Sequence, residues 1–249
     1  MIATRSLALA AIAPLALALA ACGSNDEAAT AGVSSGEPIA AIEAPEGQSW
    51  LDITTVTPED GYRLGNPDAP LRLIEYASHT CHVCASFSQE AKEPLEDYIA
   101  DGRVSLEIRN QVHNALDLTI AMLVRCGAPE NFHPLAGQAW SSFDEIMGTA
   151  QSSGAALEQA MQAPEGERFQ RIAEAAGLLD FFAARGISRD QAMQCLAEPA
   201  AAERIVDNSN RQSDELNITG TPTFFLNDRR IEGTNWASVE SALQQAGAR

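Results

Sequence analysis

The stretch SHTCHVCASF, Ser78 to Phe87, sets Cys81 and Cys84 three positions apart. Two thiols at this spacing can hold a metal, staple a fold or exchange disulfides. A structural zinc site needs four ligands, usually from a second CxxC or a spaced histidine pair. This chain has one CxxC, and His79, His82, His113 and His133 show no such spacing. Stapling is a weak use of the pair, because so short a loop removes little entropy from the unfolded chain. Exchange chemistry needs a thiolate nucleophile with a second thiol close enough to resolve the mixed disulfide. At a strand-to-helix junction the first cysteine meets free N–H groups and a positive dipole end, and the second lies one turn further in. That order makes Cys81 the nucleophile and Cys84 the resolver.

The surrounding pattern supplies such a junction. LRLIEYAS, Leu71 to Ser78, is a mostly apolar run bounded upstream by the turn chemistry of GNPDAP, and it predicts a buried strand running into the CxxC. Phe87, Ala91, Leu95 and Tyr98 follow at helical spacing, with Pro94 expected to kink the helix and Gly102 to end it. Val104, Leu106 and Ile108 alternate with polar neighbours as a second strand. Residues 112–200 carry no comparable alternation and read as helices. Phe169, Ile172, Ala176, Leu179 and Phe182 form one stripe, and SRDQ at Ser188 to Gln191 caps a further helix through Cys195. After a helix from about Ala201 to Leu216, TFFL and RRIEG flank the turn pair Asn227–Asp228 as a hairpin, and Ser238 to Ala246 close the chain as a helix. The fold class is α/β: 49–111 and 201–249 make one sheet domain, and 112–200 are a helical insertion.

Composition bounds the setting. The chain has 249 residues, 45% of them hydrophobic, enough for a sizeable core. Acidic residues number 34 against 16 basic, a formal charge of -18, which disfavours nucleic acid as a partner. MIATRSLALAAIAPLALALAAC has one early cation, Arg5, then an apolar run from Leu7 to Ala21, the layout of a secretory signal over residues 1–21. LAAC, Leu19 to Cys22, resembles the bacterial lipobox, which implies lipid attachment to Cys22; an ordinary cleavage site with a stray cysteine is the alternative. Residues 23–48 mix Gly, Ser, Ala, Pro and acid without apolar periodicity, so 22–48 read as a tether, with an r.m.s. reach of roughly 30 Å as a flexible coil. Setting Cys22 aside leaves Cys81, Cys84, Cys126 and Cys195, an even number in an oxidising compartment.

EYASHTCHVC and GTPTF together resemble the DsbA-like branch of the thioredoxin superfamily, exported thiol:disulfide oxidoreductases, over residues 49–249. The resemblance implies a thioredoxin fold with an inserted helical subdomain and no cofactor. It also implies a cis-proline at Pro222 facing the redox pair, with Thr221 offering backbone groups to a substrate strand. An acid at the place of Glu75 is implied to move a proton at the resolving cysteine. Read from the residues alone, Glu75 is either that buried acid or a solvated strand-edge glutamate.

The dipeptide between the cysteines, His82 then Val83, departs from the Pro-His of many relatives. A helix terminus contributes only about 0.3 to 1 kcal/mol, so the dipeptide must decide the acidity of Cys81. His82, with His79 adjacent, would lower it by about 1 to 3 units if it pointed at the sulfur. The reduction potential is then expected between about -270 mV and about -120 mV, the values of thioredoxin and DsbA. Cys126 and Cys195 are expected to form a structural bridge worth up to roughly 4 kcal/mol, two buried thiols being the alternative.

The expectation is a lipid-anchored periplasmic oxidoreductase that introduces disulfides into reduced, unfolded exported proteins and is recycled by a membrane redox partner. A reductase or isomerase, or a non-catalytic chaperone or metal-delivery module, are the other readings.

Overall fold

A computed structural model of the chain describes residues 36–249. The expected signal segment, the lipid-bearing Cys22 and the first part of the tether lie outside those residues. The described chain opens with β1 (Thr54–Val56), β2 (Tyr62–Gly65) and β3 (Leu71–Ala77), then α1 (His82–Ala100) and β4 (Val104–Asn110). Seven helices follow: α2 (Ala115–Val124), α3 (Phe132–Ser141), α4 (Phe143–Ser152), α5 (Gly154–Met161), α6 (Glu165–Ala175), α7 (Leu178–Ala183) and α8 (Arg189–Leu196). Then α9 (Pro199–Leu216) leads back to β5 (Thr223–Leu226), β6 (Arg229–Arg230) and α10 (Trp236–Gln245).

The strands form one sheet in the order β1-β2-β4-β3-β5-β6. β3 pairs parallel to β4 and antiparallel to β5, so the strand that delivers the CxxC is interior to the sheet. Residues alternate faces along a strand. Leu73 and Ala77 of β3 join the main core under α1 and the inserted helices, while Ile74 and Tyr76 pack on the other face with Ile218 and Phe225. Glu75 shares the parity of Leu73 and Ala77, so an acid is aimed into the main core. Helix α1 buries Phe87, Ala91, Leu95 and Ile99. Pro94 lies within this helix and does not end it.

Three features differ from the sequence expectations. The strands β1 and β2 were not anticipated. They are short, and much of what holds them is long-range: Thr57 and Arg63 donate to the buried Glu107 of β4 at 2.7 and 2.9 Å, and Arg109 adds a third bond at 2.7 Å. The stripe from Phe169 to Phe182 is two helices, because Gly177 takes φ 72° between α6 and α7. Part of the expected tether is also fixed to the fold. The amides of Gly36 and Ile39 donate to the carbonyls of Gln245 and Gly247, and Ile42 donates to Asp101 at the end of α1. Gly102 permits this approach, since at φ 71° a β-carbon there would collide with the Ile42 carbonyl.

Candidate active site

Both thiols stand at the start of α1. Cys81 is its N-cap: the backbone is extended there, and the sulfur accepts from the Cys84 amide at 3.3 Å. One turn in, Cys84 is fully buried, while Cys81 is part-exposed. The cis peptide Thr221–Pro222 lies across from the pair, and the Cys81 thiol, when protonated, donates to the Thr221 carbonyl at 3.2 Å. The two motifs, 140 residues apart in sequence, meet at one sulfur.

The electrostatics of the two sulfurs are opposite. Cys81 is lowered to about 5, first by the Cys84 thiol donating to its sulfur, then by the Thr221 side chain and the amides of Cys84 and Val83, which together outweigh its partial burial. Burial pushes Cys84 far above the ordinary thiol range, and its bond to Cys81 adds to this. Hydrogen-bond donors to a charged form favour that form. At neutral pH the reduced pair is therefore a Cys81 thiolate held by a Cys84 thiol.

The dipeptide does not act as anticipated. His82 is exposed and sets its ring edge-on to Phe143, with centroids 5.9 Å apart. The groups that acidify Cys81 are hydrogen-bond donors, most of them backbone or sulfur, and no imidazolium is among them. His79 is buried, stacked on Trp140 at 4.8 Å and pushed down to about 3 by burial, so it is neutral at pH 7 and brings no positive charge. Val83 is exposed and contributes its amide.

Glu75 resolves to the buried reading. It is 2% exposed, its Oε1 has no hydrogen-bond partner, and burial, then the charge of Cys81, raise it to about 8. It lines a cavity of about 660 Å³ between α1 and α3, beside Phe87, Leu95 and Trp140. At pH 7 the carboxyl is protonated and lies within electrostatic reach of both sulfurs.

The signs of these shifts give a pH prediction. A depressed Cys81 stabilises the reduced protein increasingly as pH rises from about 5 to the unfolded value near 8.5, and that gain is lost as pH falls through 5. Glu75, raised, acts oppositely, and stability is lost as pH rises from about 4.3 towards 8. In the oxidised protein Cys81 cannot ionise, and the loss from Glu75 runs against a gain from His79 and His133, which burial lowers to about 3 and about 4 and whose neutral forms add stability as pH rises towards about 6.5. Denaturation of both forms should show the reduced protein gaining on the oxidised one between pH 5 and 8 by up to about 1.4 kcal/mol per unit. Glu75→Gln should remove a falling contribution from the oxidised profile between about pH 5 and 8; a profile unchanged in this variant would mean that Glu75 does not titrate there.

Asp117 is a supporting residue the sequence reading missed. Buried on α2, it accepts from the Ser78 hydroxyl at 2.6 Å, the His79 amide at 2.8 Å and the His113 amide at 2.9 Å, tying the approach to Cys81 to the loop before α2. The signal was present: Asn114 stands three residues ahead and caps α2 by accepting from the Asp117 amide. Trp140 reinforces the same loop, its indole donating to the Ser78 carbonyl at 3.1 Å. Asp117→Ala should cost about 3 kcal/mol in denaturant unfolding, because three buried donors lose their acceptor. A loss under about 1 kcal/mol would show that water replaces the carboxylate.

Cys126 and Cys195 are joined, with Cα atoms 5.9 Å apart, linking the end of α2 to α8. The bridge lies within the inserted helices. Thr221 and Pro222 stand at the redox pair, and Glu75 lies beneath it.

The family model described as Thioredoxin matches residues 57–245. The chain belongs to the thioredoxin family, in its DsbA-like thiol:disulfide oxidoreductase branch. A solved protein-disulfide isomerase of Novosphingobium aromaticivorans is 31% identical with a TM-score of 0.68, over 73% of this chain and 94% of that one. Wolbachia pipientis alpha-DsbA1, 21% identical, shares the fold with a TM-score of 0.61, over 77% of this chain and 94% of that one. Among curated relatives, a protein of Rickettsia bellii described as a protein-disulfide oxidoreductase is 24% identical over 82% of this chain and 71% of its own length. The chain spans 60% of a similarly described Rickettsia typhi protein, at 25% identity over 74% of this chain. The chain is thus a disulfide oxidoreductase built on a thioredoxin fold with an inserted helical subdomain.

Proposed function

We propose that the protein is an exported oxidase that introduces disulfides into other exported proteins, tethered to a bacterial membrane through a lipid on Cys22. The observation that carries the direction is the asymmetry of the pair, a stabilised Cys81 thiolate over a basic Cys84 thiol. Stabilising the reduced form makes the oxidised form a stronger acceptor of electrons.

In the oxidised protein the accessible sulfur is Cys81. A substrate thiolate attacks it, the Cys81–Cys84 bond breaks, and Cys84 leaves with the electron pair and takes a proton from Glu75. A second substrate thiolate then attacks the substrate sulfur of the mixed disulfide, and Cys81 leaves as a thiolate. Two substrate thiols are oxidised to one disulfide and the CxxC is reduced. The acidic sulfur is the one that leaves last, and a low leaving-group pKa speeds departure. Thr221 holds the substrate backbone beside the reacting sulfur as an added strand. A membrane redox partner reoxidises the CxxC.

Oxidative refolding of reduced ribonuclease by the oxidised protein tests this, and an inert pair would contradict it. An isomerase is the second reading, supported by the name of the Novosphingobium relative. Rescue of scrambled ribonuclease by the reduced protein, faster than oxidation by the disulfide form, would favour it. Palmitate labelling lost in Cys22→Ala tests the anchor.

A further inference from the structure

We propose that a cleft beside Thr221 is a side-chain subsite of the exchange reaction, and that it favours substrates with an asparagine or glutamine carboxamide next to the reacting cysteine. This rests on the reading of the protein as an enzyme acting on polypeptide thiols. The cleft, of about 180 Å³, is bounded by Gln111 to His113 after β4, Ser209, Asn210 and Ser213 on one side of α9, and Ile218 to Thr221. Thr221 belongs to both places: its carbonyl meets the Cys81 sulfur at 3.2 Å, and its hydroxyl lies 3.3 Å from His113 Nε2. A residue adjacent to the substrate cysteine travels about 3.3 Å along an extended strand, which brings its side chain to this cleft.

The chemistry of the cleft comes from Gln111. It is 4% exposed, and its Nε2 has no hydrogen-bond partner. Ser209 accepts from the Val112 amide at 2.9 Å, and the Ser209 and Ser213 hydroxyls donate to Gln111 Oε1 at 3.5 and 2.5 Å. The two N–H bonds of Nε2 are left for a ligand, and leaving a buried donor unmade is costly. Ser213 Oγ, having given its proton to Gln111, keeps lone pairs. Donor and acceptor thus stand side by side. A carboxamide, with one C=O and one NH₂, answers both. A carboxylate could use the donor but would face the Ser213 lone pairs, and no Lys or Arg lines the cleft to hold its charge. An aliphatic side chain would leave Nε2 unmet.

The test uses the oxidised protein and single-cysteine peptides in which the residue on either side of the cysteine is Gln, Glu or Leu, with the rate of mixed-disulfide formation as readout. Gln peptides should react about tenfold faster than Leu peptides at one of the two flanking positions, with Glu nearer to Leu. In Gln111→Leu that ratio should fall to within about twofold. Because Gln111 is buried, a second variant guards against misfolding: Asn210 is exposed on α9, and Asn210→Trp should plug the cleft from outside, collapsing the ratio while leaving reaction with dithiothreitol unchanged. Equal rates for all peptides in the wild type, or a ratio surviving both variants, would overturn the subsite while leaving the exchange activity standing. Failure of every peptide to react, with dithiothreitol still oxidised, would remove both the subsite and the reading it rests on.

Discussion

Cys81→Ala should reduce disulfide exchange to the uncatalysed background, and Cys84→Ala should leave the protein joined to substrates that already carry a disulfide. The two outcomes differ because the sulfurs differ. Cys81 is the exposed member and carries the thiolate, so without it nothing accepts a substrate thiol. With Cys84 absent, the Cys81 thiolate can still attack a disulfide already present in a substrate, joining one of its sulfurs and releasing the other as a thiolate, but the buried thiol that could then displace the substrate is gone. Non-reducing gels should show such adducts accumulating with the Cys84 variant alone. The same variant has a second expected effect. The Cys84 thiol is the foremost donor to the Cys81 sulfur, so its removal should raise the alkylation midpoint of Cys81 well above the wild-type value near pH 5. The amides of Cys84 and Val83 and the Thr221 side chain remain, so the midpoint should stay below that of a free cysteine. An unchanged midpoint would mean that the helix terminus alone holds the thiolate.

Replacing both Cys126 and Cys195 with alanine should cost about 4 kcal/mol and lower the melting temperature by about 10 °C. The bridge spans 69 positions, a long loop whose closure removes much of the freedom of the unfolded chain. It joins α2, which carries the Asp117 bonds to the loop before Cys81, to α8 at the far end of the insertion. Exchange by the variant at a temperature where it is folded should match the wild type. A changed Cys81/Cys84 potential in this variant would instead make the second disulfide a regulator of the first.

Much of the site was readable because its parts are local. A strand, two spaced cysteines and a helix stripe lie within thirty residues, and the CxxC order alone assigns nucleophile and resolver. The Gly-Thr-Pro stretch gained meaning only through its resemblance, since nothing in its spacing shows that it folds onto Cys81. What escaped was long-range or carried by the backbone. β1 and β2 are too short for an alternating pattern, and Glu107, to which they are pinned, looks like any strand glutamate. The acidity of Cys81 was sought in His82, a charge visible in the sequence, whereas the groups that supply it are amides, a hydroxyl-bearing side chain and the partner thiol. Gln111 gives no sequence signal, and its place beside the serines of α9 comes only from the fold.

The central claim is that the resting pair stores its reducing equivalents comfortably, as a stabilised thiolate, and so gives up its disulfide readily. At pH 7 a Cys81 near 5 rather than the thioredoxin value near 7 favours the reduced form by about 2 kcal/mol, or about 50 mV. The measurement is the Cys81/Cys84 potential against glutathione, on protein lacking the lipid with Cys126 and Cys195 paired. A value of about -220 mV is predicted, well above the roughly -300 mV of structural disulfides that the protein would install. A value near -270 mV would contradict the account and make this a reductase.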